Sequence, residues 1–266
     1  TDDQAKQISD FENARSSAKK YGKGTRFWQD VASVGGQAQR KALGLDARPV
    51  VLLATNVLGD SLTLGRNLFT ESMAEWISKT VKYYSEHPEA QLVIRIHPGE
   101  RLMKGPSSID VIKKTLKTIP ENIKVISPLE KVNTYDLMEI ADLGLVYTTT
   151  VGLEMAMRGV PVIVAGNTHY RGKGFTFDPA NYAEYFEQSS KMIADPKNFR
   201  LKDTQIELAW NYAYRFFFQF PRPFPWRLMK FWEDLKEWPV QRVLSQEGLT
   251  EFGKTFHALA GEAIDW

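Results

Sequence analysis

The sequence contains no cysteine, which excludes disulfides, thiolate metal sites and cysteine nucleophiles together. Histidine is scarce, four in all, and no two stand at a spacing that lets a pair of imidazoles share a metal. No apolar run reaches the roughly 18 residues that a bilayer span needs. The opening residues Thr1 to Gln4 lack the apolar core of a secretion signal. Charge of one sign is also missing: 34 basic against 32 acidic residues give a net +2. Acids and bases are interleaved, without the basic stripe that grips a nucleic-acid backbone. Neither a glycine-rich dinucleotide fingerprint nor a Walker lysine motif is present. These absences leave a cytoplasmic, globular chain with no nucleic-acid partner and no resident metal or cofactor.

What is present is an alternation of short apolar runs and helical segments. Residues 1–46 are polar and read as a helical linker or the remnant of a preceding domain, broken at Lys19–Gly24. From Pro49 the runs Val50–Thr55, Leu92–Ile96, Ile123–Ile126, Leu143–Tyr147 and Pro161–Ala165 have the continuous apolar character of strands buried on both faces. Between the first two lies a helix with Phe69, Met73, Trp76, Ile77, Val81 and Tyr84 at helical spacing, a core face ended by His87-Pro88. Helices around Ile109–Ile119, Thr134–Ala141 and Val151–Arg158 fill the later gaps. The class is α/β, a Rossmann-like parallel sheet with helices on both faces over residues 47–180. Residues 181–266 are aromatic-rich helices that pack on that domain. The alternative for them is a membrane-surface patch, with Arg222 and Arg227 near headgroups.

Ligands of such sheets sit at the carboxyl ends of the strands, so the residues that follow each strand carry the functional reading. Thr148, Thr149 and Thr150 open a helix, where free N–H groups and a partial positive charge favour phosphate. Gly152 leaves room for a ligand to approach the backbone. The plain reading of the same residues is an N-cap by Thr149 or Thr150, with Glu154 completing a capping box. His97 follows the second strand and can donate to a phosphate or shuttle a proton. Pro98 fixes its turn, and Gly99 can adopt a backbone angle other residues resist. The loop Gly166–Gly174 has three glycines and three potentially cationic side chains, and Tyr170 and Phe175 suggest that it is anchored.

The segments Ile94-Arg95-Ile96-His97-Pro98-Gly99-Glu100 and Tyr147 to Gly166 resemble the bacterial capsule polysaccharide biosynthesis family, which includes Kdo transferases. They are similar, more distantly, to bacterial sialyltransferases and CDP-glycerol glycerophosphotransferases. The resemblance implies the carboxyl-terminal, nucleotide-sugar-binding half of a GT-B enzyme. It carries His97 and Thr148–Thr150 to the donor phosphate and Glu154 to the ribose. It also lays Ser127, Pro128 and Leu129 along the base. Asn56 and Asp60 would face the cleft, with Asp60 a candidate catalytic carboxylate beside His97, and Tyr170, Gly172 and Gly174 would border the sugar. The implied reaction is metal-independent transfer of a sugar such as Kdo from a nucleotide donor, CMP-linked, to a surface polysaccharide or glycolipid. A nucleotide-sugar epimerase or hydrolase, a CDP-glycerol-type phosphotransferase and a non-catalytic nucleotide-binding module share this architecture. The 49 residues before Val50 are too few for an acceptor domain, so either the chain continues a larger protein or its flanks build something smaller.

Overall fold

The computed structural model describes residues 1–16, 31–227 and 230–263; the break expected at Lys19–Gly24 lies outside them. The five expected strands form one parallel sheet: β1 (Val50–Ala54), β2 (Gln91–Arg95), β3 (Ile123–Ile126), β4 (Leu143–Val146) and β5 (Val162–Val164). Their order is β3-β2-β1-β4-β5. The chain therefore walks outward from β1 through β3, then crosses back to lay β4 on the other side of β1. The carboxyl ends of β1 and β4 flank that reversal, the place where open α/β sheets bind ligands.

The lack of alternation in the strands follows from burial on both faces. On one face Val51, Leu53, Leu92, Ile94, Leu143, Leu145 and Ile163 share a core with Trp76, Ile77 and Tyr84 of α3 (Met73–Ser85). Ile112 of α4 (Ser108–Thr115) and Tyr185 of α7 (Tyr182–Ala194) complete it. Side-chain caps start these helices: Ser72 accepts from the Glu75 amide, Ser107 and Asp110 form a capping box, and Asn181 accepts from Glu184. On the opposite face, Gly144 lacks the Cβ that would strike Met155 of α6 (Val151–Met157). That absence seats α6 directly on the sheet.

One compact unit runs from Thr1 to Tyr212 and a second from Ala213 to Trp266, so the described residues 1–16 and 31–46 and the start of the carboxyl-terminal helices group with the sheet. α1 (Asp2–Ser16) buries Ile8, and Glu12 meets Arg158 at 3.2 Å. Just before α2 (Gly36–Ala42), the Val34 amide donates to buried Asp136 of α5 (Thr134–Glu139) at 2.9 Å, and Gly36 N–H donates to Glu139 at 2.7 Å. Polar residues had concealed this docking, because its contacts are hydrogen bonds to the backbone. α7 is tied in by the Tyr185 hydroxyl, which accepts from Trp76 Nε1 at 3.0 Å. α8 (Pro196–Phe199) and α9 (Asp203–Tyr214) follow.

In the second unit a π-helical stretch (Arg215–Gln219) leads to α10 (Phe231–Glu237), α11 (Val240–Val243) and α12 (Gln246–Leu259). Its aromatics serve a small core of their own: Trp238 meets Phe252 edge-on at 4.9 Å, and Trp226 Nε1 donates to the Trp238 carbonyl. Arg227 pairs with Asp234, donating to it from Nε and Nη2 at 2.9 and 2.5 Å. Those bonds hold the Asp234 carboxyl at about 2. Among the described residues no helix is long and apolar enough to cross a membrane.

Candidate functional site

Two consecutive residues at the end of β1 bind the neighbouring strands' exits. Thr55 Oγ1 accepts from the His97 amide at 2.9 Å, and Asn56 Oδ1 accepts from the Thr148 amide at 3.2 Å. Ala54 pairs with Arg95 on one side and Val146 on the other. His97 and Thr148, each two residues further on, thus leave the same edge on either side of β1, two strand spacings or about 10 Å apart. Asn56 is only 5% exposed, and its amide oxygen ties the exits of β1 and β4 together. Asp60 shapes a turn: its carbonyl accepts from the Thr63 amide and hydroxyl, and its carboxylate from the Ser61 hydroxyl at 3.1 Å.

His97 caps a 3-10 helix (Pro98–Leu102), with Pro98 at its first position. The Gly99 amide donates to His97 Nδ1 at 3.0 Å, which places the proton of the neutral ring on Nε2. Gly99 does not adopt a positive φ. Its value is steric, since a Cβ there would lie 2.9 Å from His97 Nδ1 and 3.1 Å from Val57. Glu100 is a structural clamp, accepting from the Leu58 amide and from the Ser108 amide and hydroxyl.

The three threonines divide. Thr148 Oγ1 donates to the Leu62 carbonyl at 2.8 Å. A hydroxyl has one hydrogen, so Thr148 does not supply the phosphate donor expected of it. Thr149 Oγ1 accepts from the Val151 amide at 3.4 Å and keeps its own hydrogen to give. Thr150 is the N-cap of α6 but makes no side-chain cap bond, which leaves its hydroxyl outside the helix start. No capping box forms. With Thr150 as N-cap the third helical position is Leu153, and Glu154 comes one residue too late. Glu154 lies one turn in, 2% exposed.

Gly152 is not an opening for a ligand. Its missing Cβ is the space occupied by the Tyr170 phenol, whose hydroxyl donates to the Thr149 carbonyl at 2.6 Å. Tyr170 is fully buried and therefore anchors the loop from beneath instead of bordering a sugar; burial drives its hydroxyl pKa far up. Gly172 and Gly174 both take positive φ, +72° and +89°, and are turn residues. The Gly172 amide donates to Asp178, and the Gly174 carbonyl accepts from Gln205 of α9. Two of the three cationic side chains are otherwise engaged. Arg171 donates to the Val164 and Pro179 carbonyls. His169, an exposed residue overall, stacks on Tyr212, and desolvation of its ring, with Arg66 nearby, lowers its pKa to about 4.

After β3, the Ser127 amide donates to Glu130 Oε1 at 2.7 Å, and the Ser127 carbonyl accepts from both Glu130 N–H and Arg95. The Ser127 backbone amide and carbonyl are thus both engaged within the protein. Pro128 and the 77%-exposed Leu129 form the outward tip. The sequence assigned no individual role to Thr55, Glu100 or Arg95. For Arg95 a signal existed, a charge inside an otherwise apolar strand run.

Fold and edge together define a Rossmann-like α/β protein whose switch point carries a histidine and two threonine hydroxyls. The chain belongs to the capsule polysaccharide biosynthesis protein family, whose model matches residues 4–208. Among curated proteins none matches it. Of solved structures, the beta Kdo 2,4 transferase of Thermosulfurimonas dismutans KpsC is 20% identical, over 79% of this chain and 55% of that one, with a TM-score of 0.45. The beta Kdo 2,7 transferase of the same KpsC is 19% identical over 66% and 50%, TM-score 0.40. A UDP-GlcNAc 2-epimerase from Neisseria meningitidis, bound to UDP-GlcNAc, is 16% identical over 69% and 47%, TM-score 0.46. The chain spans about half the length of these structures.

Proposed function

We propose that this chain is the donor-binding half of a GT-B glycosyltransferase that moves a sugar such as Kdo from a CMP-linked donor to a bacterial surface polysaccharide or glycolipid. Family membership supports the sugar-transfer reading. The observation that carries the site is the Gly99-to-His97 hydrogen bond, because it fixes the imidazole ring, through Nδ1, at the carboxyl end of β2 beside the switch point. Thr149 and Thr150 supply hydroxyl donors from the other side of β1, and Glu154 serves the ribose hydroxyls. As the bond to the sugar breaks, negative charge grows on the departing phosphate, and donors fixed in advance stabilise that charge without reorganising. The reading assigns this work to side chains and to no resident metal or cofactor.

The test is CMP-sugar turnover by the full-length protein with and without acceptor. His97→Ala should cut transfer by about 10²-fold, the usual scale for one oxyanion-type donor. Undiminished transfer by that variant refutes the site. Donor consumption that ignores the acceptor replaces the transferase reading with an epimerase or hydrolase.

A further inference from the structure

Arg95 ends β2, between Ala54 and Ile126 in the sheet. It is only 5% exposed. Its guanidinium reaches past β3 into the connection that follows: Nη1 donates to the Ser127 carbonyl at 3.0 Å and Nη2 to the Val132 carbonyl at 3.2 Å. Nε is buried with no hydrogen-bond partner. Neither bond is to a carboxylate, and burial lowers the pKa to about 10, so the group stays charged at neutral pH.

As a stabilising device this is a poor choice. A desolvated cation with an unsatisfied donor is often outperformed by an apolar side chain of like volume. Its distinctive effect is geometric. A rigid fork with two donors pins both ends of the Ser127–Val132 segment at once. Between those ends the Glu130 amide donates to the Ser127 carbonyl and the Val132 amide to the Glu130 carbonyl, leaving Pro128 and Leu129 as the surface turned outward.

We propose that Arg95 is a positioning residue that sets the base preference of the nucleotide site by holding the Ser127–Val132 loop, without touching the nucleotide. This rests on the donor-site reading above and on the placement, implied by the family resemblance, of Pro128 and Leu129 along the base. A base is distinguished by the shape and polar groups set against its edge. A loop released at Ser127 and Val132 loses that shape while the phosphate contacts of His97 and Thr150 survive.

The experiment is calorimetric titration of the full chain with CMP and with UMP, in the unchanged protein, Arg95→Met and Arg95→Lys. Arg95→Met should reduce the CMP-to-UMP affinity ratio by roughly five- to tenfold, the scale of one hydrogen bond. Arg95→Lys, which keeps one donor, should recover part of the ratio. Amide exchange should quicken at Ser127, Glu130 and Val132 in Arg95→Met and remain slow in β1 and β4. Equal loss of both affinities, or an unchanged ratio, overturns the inference while leaving the donor site standing. Should Arg95→Met not fold, the ratio in Arg95→Lys decides on the same terms. If the unchanged protein binds neither nucleotide, the donor-site reading fails and takes this inference with it.

Discussion

The Tyr170 phenol occupies the volume that a side chain at position 152 would need, and its hydroxyl donates to the carbonyl of Thr149, three residues before Gly152. The loop after β5 is thereby locked onto the start of α6. Gly152→Ala should cost about 1–3 kcal/mol, the range for overpacking a filled interior. Tyr170→Phe alone should cost about 1 kcal/mol for the lost hydrogen bond. Combined, the two should cost less than their sum, because the phenylalanine vacates part of the space the alanine enters. Urea unfolding of the four proteins measures this, and strict additivity would show that the two residues do not share the space.

The division among the threonines separates folding from binding. Thr148→Val leaves the Leu62 carbonyl without its donor and should lower stability by about 1–2 kcal/mol, with CMP affinity of the folded protein unchanged. Thr150→Val, whose hydroxyl does not cap α6, should alter stability by no more than about 0.5 kcal/mol and weaken CMP binding. Thermal melts alongside titrations decide between the two. A stable Thr148→Val that no longer binds would reverse these roles.

His169 makes stability depend on acidity in a defined window. Its folded pKa, about 4, lies below the ordinary 6.5. Between those values the unfolded chain takes up a proton that the folded chain refuses. The contribution is therefore complete above pH 6.5 and is lost as pH falls toward 4. Melting temperature should decline through that interval, and His169→Gln should decline less steeply. Parallel curves for the two proteins would remove His169 from the account.

Asp136 is fully buried and accepts from the Val34 amide and the Ser33 hydroxyl. Asp136→Ala strands both donors and should cost roughly 2–3 kcal/mol, freeing the segment before α2. Asp136→Asn, which keeps an acceptor, should cost less. Limited proteolysis near residues 31–36 reports the release, and equal resistance in all three proteins would mean that the segment is held elsewhere.

The strands and α3 could be read from the chain because their signals are local. Runs such as Val50–Ala54 have no alternation to confuse, and Trp76, Ile77 and Tyr84 repeat at the helical period. The switch-point edge followed from the α/β alternation, which brought His97 and Thr148–Thr150 to notice together. Their individual duties did not follow. Thr148 and Thr150 are the same residue type two positions apart, and only the Leu62 carbonyl beside one of them commits its hydroxyl.

The sequence by itself determined the α/β class, the five strands and the end of the sheet that matters, because side-chain periodicity and strand order are carried along one dimension. Tertiary structure decided which side chains are free to meet a guest. Gly152 makes room for Tyr170, Gly99 for His97, and Arg95 pins a loop more than thirty residues away in sequence. Those assignments depend on close packing and on single hydrogens that can be given once, and both are settled only when distant segments meet.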